Sequence, residues 1–188
     1  MIIQNYNYTE KEISFLLSDI YNGDYVWVGF KQDETTCTLK KVSANNPLQT
    51  YFSIDITTNE IKAGVISGSV IYIALDDPLL IAKRYSLTNP LTTYVDFTLP
   101  SGIDEAPIDI LVSTYVYFLI PGNGSGKHTK IVKMTTAGVY VETIDLPTIQ
   151  NASSFINVGT EFWVTTYTNP AKYIRVFFSG TWQYTINS

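Results

Sequence analysis

The chain has 188 residues, 45% of them hydrophobic, which is enough for a buried core and too apolar for a disordered chain. Only 15% are charged, the formal net charge is −5, and no Lys/Arg cluster occurs, so the basic stripe that a nucleic-acid binder uses to displace counterions is missing. No apolar run approaches the ~20 residues of a membrane-spanning helix.

The first residues, MIIQNYNYTEKEISFLLSDI, carry no basic region ahead of an apolar run and no small-residue cleavage site, so no signal peptide is expected. Ile13, Leu16, Leu17, Ile20 and Tyr21 fall on one face of a helix. Thr9 with Glu12 forms a capping box, and Asn22-Gly23 is a stop signal. The pattern predicts a short helix at about 10–21 within an N-terminal segment, residues 1–24. It leaves residues 2–8 as a candidate closing strand. Cys37 is the single cysteine, so no internal disulfide forms; a buried, inert thiol is expected, which fits a reducing interior or an assembly built there.

From residue 25 to 188 the chain repeats. YVWVGF (25–30), VIYIAL (70–75), YVYFLI (115–120) and EFWVTT (161–166) align, with Trp27, Tyr72, Tyr117 and Trp163 spaced 45, 45 and 46 residues apart. After each comes a turn (KQDETT, DDP, PGNGSGKHT, YTNP), then a strand with a basic residue (TLKKVS, IAKRYS, KIVKMT, YIRVFF). A second turn leads to a strand with a tyrosine, at Tyr51, Tyr94, Tyr140 and Tyr184. A further apolar piece lies between repeats: EIKAGVIS (60–67), APIDILVS (106–113) and SSFINVG (153–159). Each unit thus reads as four short strands joined by Asn-Pro, Asp-Pro or Gly turns.

A repeated four-stranded unit of this length resembles a β-propeller blade, and the resemblance covers about residues 20–188. It implies an all-β, β-propeller-like fold of four blade repeats starting near 25, 70, 115 and 161, with the short N-terminal helix ahead of them. Blades bury both sheet faces by packing on one another. The aligned aromatics are expected to fill the space between blades. No WD, kelch or complete sialidase signature occurs, although SGTW (179–182) resembles the end of a sialidase box, and residues 103–118 resemble a hemopexin repeat once. No family's site residues carry over. In this frame the fourth repeat stops after TWQYTINS and lacks an outer strand. The N-terminal segment or a partner chain would supply that strand, or the edge would stay bare, protected by bulges or charges.

PGNGSGKHT (121–129) has the look of a phosphate loop but departs from GxxxxGK[ST]: Pro121 takes the place of the first glycine and His128 that of the magnesium-binding hydroxyl. KIVKMTT follows as a strand, so no helix N-terminus waits for an anion. The segment reads as a long hairpin loop, with Lys127 and His128 as candidate partner contacts. His128 is the only histidine, and no GxSxG or HExxH motif occurs. Asp76-Asp77, Asp104-Glu105 and Asp109 are the carboxylates that could serve calcium or glycosidic chemistry, but none recurs in every repeat. Trp182 and Tyr184, in the last strand, are candidate partner anchors if that edge is open.

The sequence therefore predicts a protein without catalytic residues, cofactor or metal: a rigid structural or interaction subunit of a larger assembly, with a protein partner or homo-oligomer. Low charge and high Asn, Thr, Tyr and Ile content suit a phage or viral virion component, by compositional analogy. A carbohydrate-binding propeller is the alternative, with a glycan stacked on exposed aromatics. A glycosidase-like hydrolase is the second.

Overall fold

A computed structural model describes residues 12–18, 23–46, 48–77, 79–87, 94–168, 170–178 and 181–187. Every regular element among them is a strand, and the sixteen strands form four antiparallel four-stranded sheets, each built from consecutive strands in chain order. The chain makes two compact units, Met1–Ile61 and Lys62–Ser188.

The first unit holds sheet 1: β1 (Glu12–Ser18), β2 (Tyr25–Lys31), β3 (Thr36–Ser43) and β4 (Thr50–Thr57). β1 occupies the place where a helix was expected. The physical reason lies in its register. Ile13 pairs with Phe30, but a bulge follows, so that Leu16 pairs with Val28. Phe30 and Val28 share one face of β2, so the bulge puts Ile13 and Leu16 on one face of β1 as well. A spacing of three, which reads as helical, is here a bulged strand. Pairing with the edge of β2 supplies the ladder hydrogen bonds that an isolated helix of this length would lack support for. The proposed closing strand at residues 2–8 lies outside the described residues. In sheet 1, Trp27, Cys37 and Leu39 are fully buried, as the inert-thiol expectation for Cys37 requires.

The second unit holds three sheets. Sheet 2 is β5 (Ile61–Ser67), β6 (Val70–Leu75), β7 (Leu80–Ser86) and β8 (Tyr94–Thr98). Sheet 3 is β9 (Asp109–Val112), β10 (Val116–Ile120), β11 (Thr129–Met134) and β12 (Tyr140–Leu146). Sheet 4 is β13 (Ala152–Val158), β14 (Glu161–Thr166), β15 (Tyr173–Phe178) and β16 (Trp182–Asn187). The apolar piece between repeats is the first strand of the following sheet, not the last strand of the preceding one. Sheet 4 is therefore complete with four strands, and its expected missing outer strand is a consequence of counting from the wrong strand.

The sheets of the second unit stack face on face. Tyr72, Ala74, Ala82 and Phe97 of sheet 2 pack on Val116, Phe118, Ile120 and Val132 of sheet 3, with the Phe97 and Phe118 rings 5.6 Å apart. On the opposite face of sheet 3, Leu119, Ile131 and Ile144 pack on Phe162, Val164 and Ile174 of sheet 4. Alternating side chains make this possible, since each central strand delivers one row to each neighbour. Polar stitches cross the same seams. Arg84 Nη1 donates to Thr136 O at 2.8 Å, and Asp109 Oδ2 accepts Ser154 Oγ at 2.7 Å and Phe155 N at 3.1 Å.

The aligned aromatics sit on the second strand of each sheet, opposite the basic residue of the third: Trp27 with Lys41, Tyr72 with Arg84, Tyr117 with Lys133, Trp163 with Arg175. Two of these pairs put a cation over the paired ring, Lys41 at 5.6 Å from the Trp27 centroid and Arg175 at 5.9 Å from that of Trp163. The repeat is thus a repeated cross-strand pair, not only a repeated aromatic.

Candidate functional site

Two connections of the second unit meet at one end of sheet 3. The first, residues 100–107, leads from β8 to β9; the second, residues 121–128, joins β10 to β11. Between them lies a pocket of about 360 Å³ lined by Ile103, Asp104, Glu105, Ile120, Lys127, His128 and Lys130, together with Gly102 and Gly126.

The glycine-rich loop is held in place from several sides. Pro121 O accepts Thr129 Oγ1 at 2.9 Å and Ala152 N at 3.0 Å. Asn123 N donates to Glu105 Oε1 at 2.9 Å, and Gln150 Nε2 donates to Lys127 O at 2.7 Å. Gly122 has φ +68, and a Cβ there would lie 2.2 Å from the His128 carbonyl carbon, so the loop folds back on itself only because this residue is glycine. The phosphate-loop resemblance ends here: β11, not a helix, follows the loop.

Charges of both signs face each other across the pocket. Lys127 Nζ lies 3.0 Å from Asp104 Oδ2 and 3.8 Å from Glu105 Oε1. The hydrogen bond from Lys127 holds the Asp104 carboxyl below the usual aspartate range, and the same bond raises Lys127. Lys130 Nζ donates to Gly102 O at 3.0 Å. His128 Nε2 lies 2.5 Å from Asp145 Oδ1 on β12. Among the described residues no group of three or more His, Cys, Asp or Glu side chains gathers as a metal site.

Lys127 and His128 thus share one pocket with Asp104 and Glu105, which the sequence had placed in a separate loop. No sequence signal announces this meeting, because the two loops lie some twenty residues apart and are joined only by the β9–β10 hairpin. Asp76 pairs instead with Lys62 at 3.4 Å, and Asp77 caps the turn into β7 through Leu79 N and Leu80 N. Asp109 is the seam stitch described above. Trp182 and Tyr184 are half-buried on β16 and turn toward sheet 3: Trp182 Nε1 donates to Glu142 Oε2 at 3.1 Å, and the Tyr184 hydroxyl lies 2.8 Å from Thr148 Oγ1. They pack within the chain.

The other face of sheet 4 is a second feature, one that sequence reasoning missed. In register across its four strands run Ile156, Trp163, Arg175 and Thr185. Ile156 is 55% exposed, and Val158 and Tyr173 on the same face are 46% and 41% exposed. Trp163 and Tyr173 stack at 5.5 Å, and Glu161 clamps Arg175 through Nε at 3.0 Å and Nη2 at 2.7 Å. Three positions separate this face from the equivalent one of sheet 3. Where sheet 3 has buried Leu119 and Ile131, sheet 4 has exposed Thr165 and Tyr173; where sheet 3 has buried Ile144, sheet 4 has Asn187.

Repeated four-stranded antiparallel sheets stacked through aromatic-bearing faces define a β-propeller-type repeat protein. Solved structures agree on the fold. The chain resembles the computationally designed Ika4 protein with a TM-score of 0.62 at 13% identity, covering 90% of this chain and 94% of that one. It also resembles YCF48 from Cyanidioschyzon merolae (TM-score 0.56, 9% identity) and BamB from Moraxella catarrhalis (TM-score 0.55, 12% identity). The chain covers 58% and 47% of those two proteins, and they cover 96% and 89% of it. A prolyl endopeptidase matches over 88% of this chain but only 25% of its own (TM-score 0.57, 10% identity). No protein-family model and no curated protein matches the sequence.

Proposed function

We propose that the protein is a non-enzymatic interaction subunit of a larger assembly, and that it makes its contact through the outward face of sheet 4. The exposure of that face carries the reading. In sheets 2 and 3 the face bearing the aligned aromatic is covered by the next sheet, whereas Ile156, Val158 and Tyr173 on the corresponding face of sheet 4 meet solvent. Contiguous exposed apolar side chains with a polar rim mark binding surfaces. The face also carries Trp163, Tyr173 and Arg175, and Trp, Tyr and Arg are the residue types that dominate interface energetics.

The pocket carboxylates support the non-enzymatic half. Asp104 is ionised and paired, and Glu105 is committed to the Asn123 amide, so neither is poised as a general acid. A chain low in charge and rich in Asn, Thr, Tyr and Ile fits a particle component such as a phage or viral accessory protein.

A photoreactive residue at Ile156, in the full chain in its producing cells, is expected to give one discrete adduct, to a partner or to a second copy. The same label at Leu79, 74% exposed on a sheet 2 turn, is expected to give none. Equal yields at both positions, or no adduct at 156, would overturn the reading.

A further inference from the structure

The pocket between residues 100–107 and 121–128 carries a charge pattern that selects among ligands. Asp104 and Glu105 form one wall; Lys127 and Lys130 reach across from the other. A lone cation entering here meets two ammonium groups, and a lone anion meets two carboxylates. A ligand that carries both signs a few ångströms apart satisfies both walls. Ile103 and Ile120, both nearly fully buried, give the same pocket an apolar part of its lining. A cavity of about 360 Å³ lies in the range of small-molecule sites.

We propose that this pocket binds a small aliphatic α-amino acid. Its carboxylate is taken by Lys127 and Lys130, its ammonium by Asp104 and Glu105, and its side chain by Ile103 and Ile120. The site is built to exchange its own charges for those of the ligand. Asp104 is largely exposed, and an exposed ion pair contributes little to folding, so opening the Lys127–Asp104 bridge costs little. Glu105 is different. Its side chain is only 13% exposed, and the Asn123 amide fixes it, so it waits in position. Gly122 and the Pro121 carbonyl network hold the loop that delivers Lys127, which keeps the second wall in place without ligand.

The test titrates the full chain with L-leucine, leucinamide, N-acetyl-leucine and inorganic phosphate, followed by amide chemical shifts and calorimetry. Leucine is expected to bind saturably and to shift the amides of Glu105, Lys127 and Lys130. Leucinamide lacks the carboxylate and N-acetyl-leucine the ammonium, so each is expected to bind at least about tenfold more weakly, a difference of about 1.4 kcal/mol. Lys127→Ala and Asp104→Asn change exposed side chains, so both variants are expected to melt as the parent does and to weaken leucine binding about tenfold. No saturable leucine shift overturns the proposal. So does phosphate binding as tightly as leucine, or either blocked analogue matching it. The site is separate from the outward face of sheet 4, so cross-linking at Ile156 succeeds or fails independently.

Discussion

Lys127 and Asp104 show what a single ion pair does here. Both groups lie in solvent, so their bridge adds little to stability, yet it lowers the Asp104 pKa and raises that of Lys127 at the lining of a pocket. The sign of the pH effect follows from the directions of shift. A carboxyl with a depressed folded value favours the folded state above its unfolded pKa and loses that contribution as pH falls through the folded value. A lysine with a raised value acts below its unfolded pKa and loses its contribution as pH rises through the folded one. The bridge is therefore complete across neutral pH and opens at either extreme. Carboxyl resonances followed by NMR are expected to place Asp104 below an ordinary aspartate, and Lys127→Ala is expected to return it to the ordinary range. An unchanged Asp104 titration in that variant would show that the lysine is not the cause. The cysteine obeys the opposite rule: burial pushes the Cys37 thiol up and leaves it protonated and unreactive in the folded protein.

At the scale of elements, the turn between β11 and β12 is where one sheet of the second unit touches the next through backbone. Gly138 has φ +84, and a Cβ there would lie 2.7 Å from Asp96 O on β8. Two residues earlier, Thr136 O accepts the Arg84 guanidinium. The turn is docked on sheet 2, and a side chain would push it off while straining the backbone. Gly138→Ala is expected to cost about 2–3 kcal/mol, read from the shift of a urea unfolding midpoint at constant slope. A loss below half a kcal/mol would mean that the turn relaxes freely and the seam does not depend on it. β1 teaches a different lesson. Its apolar residues follow a spacing of three because a bulge, not a helical turn, returns the side chain to the same face.

On the scale of the whole molecule, no sheet of the second unit can bury both faces alone, so stability resides in the seams. Phe118 is fully buried at the seam of sheets 2 and 3, against Phe97. Phe118→Ala is expected to cost about 3–5 kcal/mol. Because the seam belongs to both sheets, amide exchange is expected to accelerate together in β6 and β10. Acceleration confined to β10 would show that the sheets fold as independent units rather than through their shared face. The outward face of sheet 4 obeys the complementary rule, since positions that are Leu119, Ile131 and Ile144 in sheet 3 become Thr165, Tyr173 and Asn187 where no further sheet of this unit follows.

From residue 25 onward the sequence by itself determined the strands and their repetition: alternating apolar residues, Asn-Pro and Gly turns, and the spacing of Trp27, Tyr72, Tyr117 and Trp163 are all local or periodic signals. It could not determine the phase of the repeat, because a periodic pattern can be cut at any strand and still look periodic. Backbone pairing made the cut, assigning EIKAGVIS and its equivalents to the following sheet and residues 12–18 to β1. The pocket was beyond the sequence for a related reason. Asp104 and Lys127 are neither neighbours in the chain nor matched in the repeat, and only the folding of sheet 3 sets their two loops side by side, where a difference of charge across a few ångströms becomes a site.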